Sequence, residues 1–112
     1  MASTSYFKSD DKLHDKSDYH GWKVSLDLTL EEQDVTDYVQ GKITEPPSNA
    51  STVVKTKYKK GEIKAKKIIG DSIHKHLVAY ISDLNTSKEI YDRLVGMFKA
   101  SNSNQVLFSR TS

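Results

Sequence analysis

The stretch Asp18–Gly41, DYHGWKVSLDLTLEEQDVTDYVQG, contains the only tryptophan of the chain and decides the predicted fold. Its larger apolar residues recur at helical spacing and are Tyr19, Trp22, Leu26 and Leu30. This spacing places them on one side of an amphipathic helix. We expect Ser17 or Asp18 to cap that helix, because a short side-chain oxygen accepts from the free N–H groups of the first turn. A second, short helix is predicted from Val35, Tyr38 and Val39, ending at Gly41.

Composition limits the possible classes of protein. The 112 residues leave room for one domain, and 36% apolar with 29% charged residues is typical of a globular chain. Without cysteine, a disulfide framework and a thiolate zinc site are excluded. The longest apolar run, Leu77–Ile81, is far shorter than the ~20 residues of a membrane span. The first residues lack the apolar segment of a secretory signal. We therefore expect no membrane partner.

The charges are divided unevenly along the chain. Residues 1–54 carry 5 basic and 10 acidic side chains (net −5), and residues 55–112 carry 12 basic and 5 acidic ones (net +7). The two halves could meet within one molecule or favour head-to-tail contact between copies. They could also be two solvated surfaces with unequal counts.

The rest of the chain predicts further helices. Residues 1–12 are expected to be a flexible lead-in, Leu13 to pack against the first helix, and Pro46 and Pro47 to hold a loop over Lys42–Thr52. From Val53 to Ile81 we predict a long helix with a break or kink at Gly70–Asp71. Its inner side is expected to comprise Tyr58, Glu62, Ala65, Ile69 and Ile73, extended by Leu77, Tyr80 and Ile81.

A last well-marked helix begins at Thr86-Ser-Lys-Glu89, which has the form of a capping box. Its apolar side comprises Ile90, Tyr91, Leu94, Val95 and Phe98. A polar break is predicted at Ser101–Asn104, followed by a final helix over Gln105–Arg110 that is cut short. The predicted fold class is therefore all-α, a compact bundle of about five helices over residues 13–112, truncated at its C-terminal end.

The chain resembles the N-terminal Gag region of copia-type LTR retrotransposons from about Leu13 to Leu107. Leu13, Tyr19 and Trp22 resemble the family's L-x-G-x-N-Y-x-x-W opening, and Leu30, Val39 and Gly41 its L…V-x-G continuation. The family's next helix resembles the positions Tyr58, Ala65, Ile69 and Ile73. Its following element resembles the segment that contains Thr86, Glu89, Ile90, Tyr91 and Leu94, and the aromatic residue after that element resembles Phe98. The chain departs from the pattern at Asp15, where the family has glycine, and at Tyr58 and Tyr91, where it has tryptophan.

The resemblance implies a capsid-like N-terminal domain whose copies multimerise into a virus-like particle around the element's RNA. It implies self-association and RNA as partners and a cytoplasmic location, with the nucleus not excluded. A complete Gag-Pol would continue into a second capsid lobe, a zinc knuckle, protease, integrase and reverse transcriptase. The chain is therefore expected to be a fragment of a longer protein or a repurposed gene.

The segment KTKYKKGEIKAKK carries the candidate RNA contacts, which are Lys55, Lys57, Lys59, Lys60, Lys64, Lys66 and Lys67. Lysine contacts phosphates without reading bases. Tyr58 is the only aromatic residue in the segment, so a stacking platform for single strands is not predicted. Three interpretations stay open: auxiliary RNA binding, contact with the acidic half of another copy, and a plain solvated helix face.

The sequence indicates no catalytic site. His74 and His76, two residues apart, would lie about 200° apart on a helix, so no zinc site is expected. The pairs Asp10-Asp11 and Glu31-Glu32 have no evident acid–base partner. A G-x-S-x-G motif and a phosphate-binding glycine loop are both absent. We expect a protein that is not an enzyme and uses no cofactor, metal or small-molecule substrate.

Overall fold

The computed structural model describes residues 7–103. It contains four α-helices: α1 (Tyr19–Glu32), α2 (Thr36–Val39), α3 (Thr52–Asp71) and α4 (Ser87–Ser103). Three 3-10 helices cover Ser9–Asp11, Lys16–Asp18 and Lys75–Tyr80, and residues 7–103 contain no β-strand. The predicted all-α fold is confirmed. The helix expected over Gln105–Arg110 lies outside the described residues.

The core is organised around α3, which contacts each of the other three α-helices. The buried apolar residues of the core are Phe7, Leu13, Trp22, Leu26, Leu30, Val35, Tyr38, Val39, Ala65, Ile68, Ile69, Ile73, Leu77, Ile81, Ile90 and Leu94. Most of these positions recur at helical spacing, so burial of one side of each helix is the main force that assembles the bundle.

Trp22 joins α1 to the C-terminal end of α3. Its side chain is 2% exposed, and its Nε1 donates to Ser72 Oγ over 2.9 Å. Ser72 Oγ in turn donates to the Ile69 carbonyl oxygen over 2.6 Å. The indole therefore buries its rings while its one polar atom keeps a partner, as a buried tryptophan requires.

The segment before α1 is held to the end of α3 by a single parallel bridge between Leu13 and Ile73. The Leu13 amide donates to the Ser72 carbonyl, and the His74 amide donates to the Leu13 carbonyl, each over 2.9 Å. Leu13 is fully buried in the core that also contains the α1 residues. Phe7, within the expected lead-in, is also buried. One apolar residue in a polar segment has no periodicity, so the sequence did not predict its burial.

The expected cap of α1 is wrong. Neither Ser17 nor Asp18 accepts from the first turn of α1, because the chain is already helical over Lys16–Asp18. The cap lies one turn earlier: Asp15 Oδ1 accepts from the Ser17 amide over 2.9 Å. Asp18 Oδ2 reaches back to the His14 amide over 3.0 Å and the Asp15 amide over 3.3 Å. The helical segment therefore starts one turn before the apolar periodicity does.

The capping box at the start of α4 is confirmed. The Glu89 amide donates to Thr86 Oγ1, and the Thr86 amide donates to Glu89 Oε1, each over 3.1 Å. The Thr86 amide, and then the Asn85 amide, donate to the Glu89 carboxylate and lower its pKa. Both halves of the box follow from residues within one turn, which is why the sequence predicts it well.

The predicted break after α3 is confirmed, since α3 ends at Asp71 and the chain resumes as a 3-10 helix at Lys75. Tyr80, expected on the inner side, is instead 53% exposed. A 3-10 helix has three residues per turn, so the α-helical spacing that placed Tyr80 inside does not apply there. The break expected from Ser101 is also wrong, because α4 continues through Ser103. Serine and asparagine lower helix propensity only modestly and do not stop a helix as proline does.

α2 packs against α3 at Gly61. A Cβ atom at this position would lie 2.1 Å from Tyr38 Cζ, so only glycine lets the ring approach. The same ring lies 6.0 Å, between centroids, from that of Tyr58. After α2 the chain turns at Gly41 with φ of 80°. This left-handed residue ends the helix as the sequence predicts and starts the proline-containing loop.

Candidate functional site

The exposed side of α3 carries a line of four lysines, called here the lysine row: Lys57, Lys60, Lys64 and Lys67. They are spaced three, four and three residues apart, so they lie along one side of the helix, away from Ala65. All four are exposed. None of them takes part in an ion pair within residues 7–103. The lysine row is therefore a band of positive charge without a partner in the described part of its own chain.

The other three lysines of the segment lie beside the row. Lys55 Nζ donates to the Ser48 carbonyl of the preceding loop. Lys66 Nζ donates to the Asn85 carbonyl over 3.1 Å, so it helps to fix the loop before α4. Lys59 is exposed on α3. Of the seven candidate RNA contacts, Lys66 thus has the clearest structural role.

A cleft of about 580 Å³ lies between α1, α2 and α4. We call it the acidic cleft, because its lining includes four carboxylates: Asp27, Glu31, Asp34 and Asp37. Two lysines, Lys23 and Lys42, also line it. Asp34 occupies the turn between α1 and α2 with φ of 65°, a left-handed conformation that aspartate tolerates better than most residues. That turn brings carboxylates from two helices to one cavity.

Asp27, Lys23 and Tyr91 form a hydrogen-bonded group in the wall of the acidic cleft. Asp27 Oδ1 accepts from the Tyr91 hydroxyl over 2.6 Å, and its Oδ2 accepts from Lys23 Nζ over 2.9 Å. Burial, and then the bond to Asp27, raise the pKa of Tyr91 to about 12. The bond to Asp27 also raises the pKa of Lys23. Asp27 and Lys23 thus largely neutralise each other. The charges of the cleft without an ion pair in the described residues are the carboxylates of Glu31, Asp34 and Asp37 and the ammonium of Lys42, so the cleft stays net negative.

Thr36, one of the residues around the acidic cleft, carries a buried polar atom without a partner. Its hydroxyl oxygen, on the first residue of α2, is buried and makes no hydrogen bond within the described residues. Leaving such a hydroxyl unsatisfied is unfavourable by about 1–3 kcal/mol. Because this oxygen is buried, it is a local cost to the fold and not a contact point for a molecule that enters the cleft.

The two halves of the chain do not neutralise each other within the described residues. The ion pairs there are Lys12–Asp71, His14–Asp18, Lys23–Asp27, Lys88–Asp92 and Arg93–Asp83. None of these joins an acid of residues 7–54 to a base of residues 55–103. The intramolecular pairing that the charge division left open is therefore not observed in the part of the chain that the structure describes.

The expected geometry of His74 and His76 is wrong. His74 is extended and precedes a 3-10 helix, so the two rings are not on opposite sides of an α-helix. Their Nδ1 atoms lie 2.9 Å apart, and His14 stacks on His74 with 4.3 Å between ring centroids. Burial, then the neighbouring His14 and His76, lower the pKa of His74. These rings pack on one another, and no set of three or more His, Asp or Glu side chains among residues 7–103 is arranged to hold a metal ion.

The residues that carry the family resemblance lie in the core or at helix ends. Nine are buried: Leu13, Trp22, Leu30, Val39, Ala65, Ile69, Ile73, Ile90 and Leu94. Four more pack against this core while partly exposed: Tyr19, Tyr58, Tyr91 and Phe98. The remaining three are the capping pair Thr86 and Glu89 and the helix-ending Gly41. The resemblance therefore extends over one continuous packing unit.

The sequence places Glu62 on the inner side of α3, where it is buried, but it does not predict the partner of this carboxylate. Glu62 accepts from the Ser87 amide over 2.8 Å and the Ser87 hydroxyl over 3.1 Å, which ties α3 to the start of α4. The acidic cleft was missed altogether. The spacing of Asp27 and Glu31 indicates one side of α1, but the turn to α2 at Asp34 completes the cavity.

Comparison with known proteins adds no relative. No protein-family model matches the chain, and no curated protein or solved structure matches it. None of the helices within residues 7–103 is long and apolar enough to cross a membrane.

Proposed function

We propose that this chain is a structural, Gag-type protein of a copia-like retrotransposon that contributes to the self-assembly of virus-like particles around the element's RNA. The observation that carries the proposal is that the residues of the resemblance, from Leu13 to Phe98, belong to one core and its helix caps. In a capsid-type protein these residues form the interior of the domain, and the exposed surfaces remain available for contact between copies. Such a protein works in cytoplasmic particles and needs no cofactor.

The exposed surfaces are better suited to weak association between copies of the chain than to catalysis. The lysine row and the acidic cleft are separate and opposite in charge. Neither the four lysines of the row nor the cleft residues Glu31, Asp34 and Asp37 form an ion pair within the described chain. Exposed ion pairs stabilise a contact by less than about 1 kcal/mol each. Many such contacts, repeated over a particle, give a stable assembly although a single one does not.

The self-assembly proposal is tested by following mass against protein concentration. We expect light scattering coupled to size-exclusion chromatography to show multimers that increase with concentration, and electron microscopy to show particles or chains. A species that stays at 12.7 kDa over the whole soluble range would contradict the proposal.

A second function, RNA binding through the Lys55–Lys67 face, is favoured by the absence of ion pairs at the lysine row. If it is correct, changing Lys57, Lys60, Lys64 and Lys67 to glutamine weakens binding to RNA of any sequence. The salt dependence also becomes shallower, by about 0.7 in the slope of log K against log salt per lost phosphate contact on a single strand.

The matched control for this RNA test removes the same charge elsewhere. Lys8, Lys16, Lys75 and Lys99 are exposed and lie outside the Lys55–Lys67 face. Changing these four to glutamine should leave most of the binding intact if the face itself is the RNA site. Equal loss in the two variants would show that only net charge matters, and equal retention would rule out RNA binding at the lysine row.

A further inference from the structure

We propose that the lysine row of one copy docks against the acidic cleft of a second copy, so that the chain associates head to tail. This inference rests on the self-assembly proposed above and names the two surfaces that meet. The partner is a second copy because one chain carries both surfaces. Four exposed ammonium groups lie on α3, and Glu31, Asp34 and Asp37 supply unpaired carboxylates at the cleft.

The lysine row is a rigid ligand. From Lys57 to Lys67 it extends about 15 Å, at 1.5 Å per residue of α-helix. Because all four lysines are on one continuous helix, no backbone has to become ordered when the row meets a complementary surface. The cleft is also built on helices, with Glu31 on α1 and Asp37 on α2. Two pre-formed surfaces lower the free-energy cost of association.

Apolar side chains border both surfaces. On α3, Ile63 is 48% exposed and lies beside Lys60 and Lys67 in the helical projection. On α1, Val24 is 47% and Leu28 61% exposed, on the same side as Glu31. Exposed apolar groups beside complementary charges match the anatomy of a protein interface, in which apolar contact adds affinity and charge adds orientation.

The exposed carboxylates of the cleft lack partners in their own chain. Glu31, Asp34 and Asp37 form no ion pair within residues 7–103. An incoming row of ammonium donors supplies what these three acceptors lack.

The contact is heterologous, because two different patches meet. Each added copy leaves one free lysine row and one free acidic cleft at the ends of the assembly. Such contacts close into rings or continue as open chains, depending on the rotation between copies. Unless two copies exchange both contacts with each other, the interaction produces multimers larger than a dimer.

The test uses charge reversal on each surface separately. A row variant carries Lys60→Glu and Lys64→Glu, and a cleft variant carries Glu31→Lys and Asp37→Lys. All four side chains are exposed, so thermal unfolding should match that of the wild type. A control variant, Lys16→Glu with Lys99→Glu, makes the same charge change as the row variant at exposed positions elsewhere.

Sedimentation velocity over a concentration series measures the association. We expect each surface variant alone to raise the dissociation constant about tenfold or more, since two attractive contacts become repulsive. The control variant should associate like the wild type. An equimolar mixture of the row and cleft variants should recover association, because the intact surface of each meets the intact surface of the other and the reversed surfaces are also complementary.

The outcomes separate this inference from the self-assembly proposal. Association by the row variant at wild-type strength would overturn head-to-tail docking and leave self-assembly standing through other surfaces. Failure of the mixture to recover would also overturn it. Loss of RNA binding in the row variant with unchanged self-association would assign the lysine row to RNA. A wild-type chain that stays monomeric throughout would overturn both proposals.

Discussion

The inner and outer sides of α3 differ in how their polar groups are treated. On the inner side, the one carboxylate, Glu62, is buried and accepts two hydrogen bonds from Ser87. On the outer side, Lys60 and Lys64 are exposed and have no ion-pair partner in the described residues. The inner side accounts for the stability of the fold. The outer side is expected to contribute little to stability, and its unpaired charge is the basis of the contacts that we propose.

The largest loss of stability is expected from a change at Trp22, which packs on the inner side at the end of α3. We expect Trp22→Ala to lower the free energy of unfolding by about 3–5 kcal/mol, because a buried ring is replaced by a cavity. It also leaves the Ser72 hydroxyl without its donor. Urea unfolding followed by far-UV circular dichroism measures the loss.

Trp22→Phe serves as the control for that measurement. It keeps an aromatic ring but removes the N–H, so we expect a smaller loss than for alanine. A loss below about 0.5 kcal/mol for Trp22→Ala would be that of a surface position and would contradict the packing described.

A second prediction compares two helical glycines. Gly61→Ala would place a Cβ 2.1 Å from the Tyr38 ring, and such overpacking destabilises by about 1–3 kcal/mol, partly offset by better helix propensity. Gly21→Ala meets no atom within 4 Å and should stabilise α1 by up to about 1 kcal/mol. The midpoints of thermal unfolding should thus move in opposite directions. Movement in the same direction would show that α2 does not pack closely on α3.

The histidines at the end of α3 should give a smaller, pH-dependent effect. Folding lowers the pKa of His74 through burial, the neighbouring His14 and His76, and the ammonium groups of Lys75 and Lys12. The folded state therefore disfavours protonation, so stability is full above the unfolded pKa of about 6.5 and declines as the pH falls through the folded value.

Urea unfolding at pH values of about 7.5 and 5.5, on either side of the ordinary histidine pKa, tests this prediction. We expect His74→Asn to reduce the difference in stability between the two pH values. His20→Asn, at an exposed position on α1, is the control and should leave the difference unchanged. An identical pH response in wild type and His74→Asn would exclude a role for this cluster.

The smallest effect on stability should come from the outer side itself. Changing Lys60 and Lys64 to glutamine should alter the free energy of unfolding by less than about 0.5 kcal/mol for each residue, as is usual at the surface. A larger loss would mean that the lysine row supports the fold and would remove the contrast between the two sides of α3.

Local patterns allowed much of the fold to be predicted from sequence. The stripe from Tyr19 to Leu30 predicts α1, and Thr86 with Glu89 predicts the start of α4. In both cases the interacting groups lie within a few turns, and helical geometry alone brings them together. The break after α3 follows from Gly70 and the polar residues beside it.

The errors at His74, His76 and Tyr80 share one cause, which is that the backbone is not α-helical where the spacing was interpreted as if it were. His74, His76 and Tyr80 lie in or beside a 3-10 helix, so angles computed for an α-helix place them wrongly. The acidic cleft was missed because a tertiary turn at Asp34 completes it. No spacing within a single helix contains that information.

The most direct test of the central claim, that oppositely charged surfaces of this chain hold its copies together, is the ionic-strength dependence of self-association. Sedimentation equilibrium at low and high salt measures the weight-average mass of the wild-type chain. We predict multimers at low salt that dissociate toward 12.7 kDa as salt screens the lysine row from the acidic cleft. A chain that is monomeric at low salt, or whose association strengthens with salt, would contradict it.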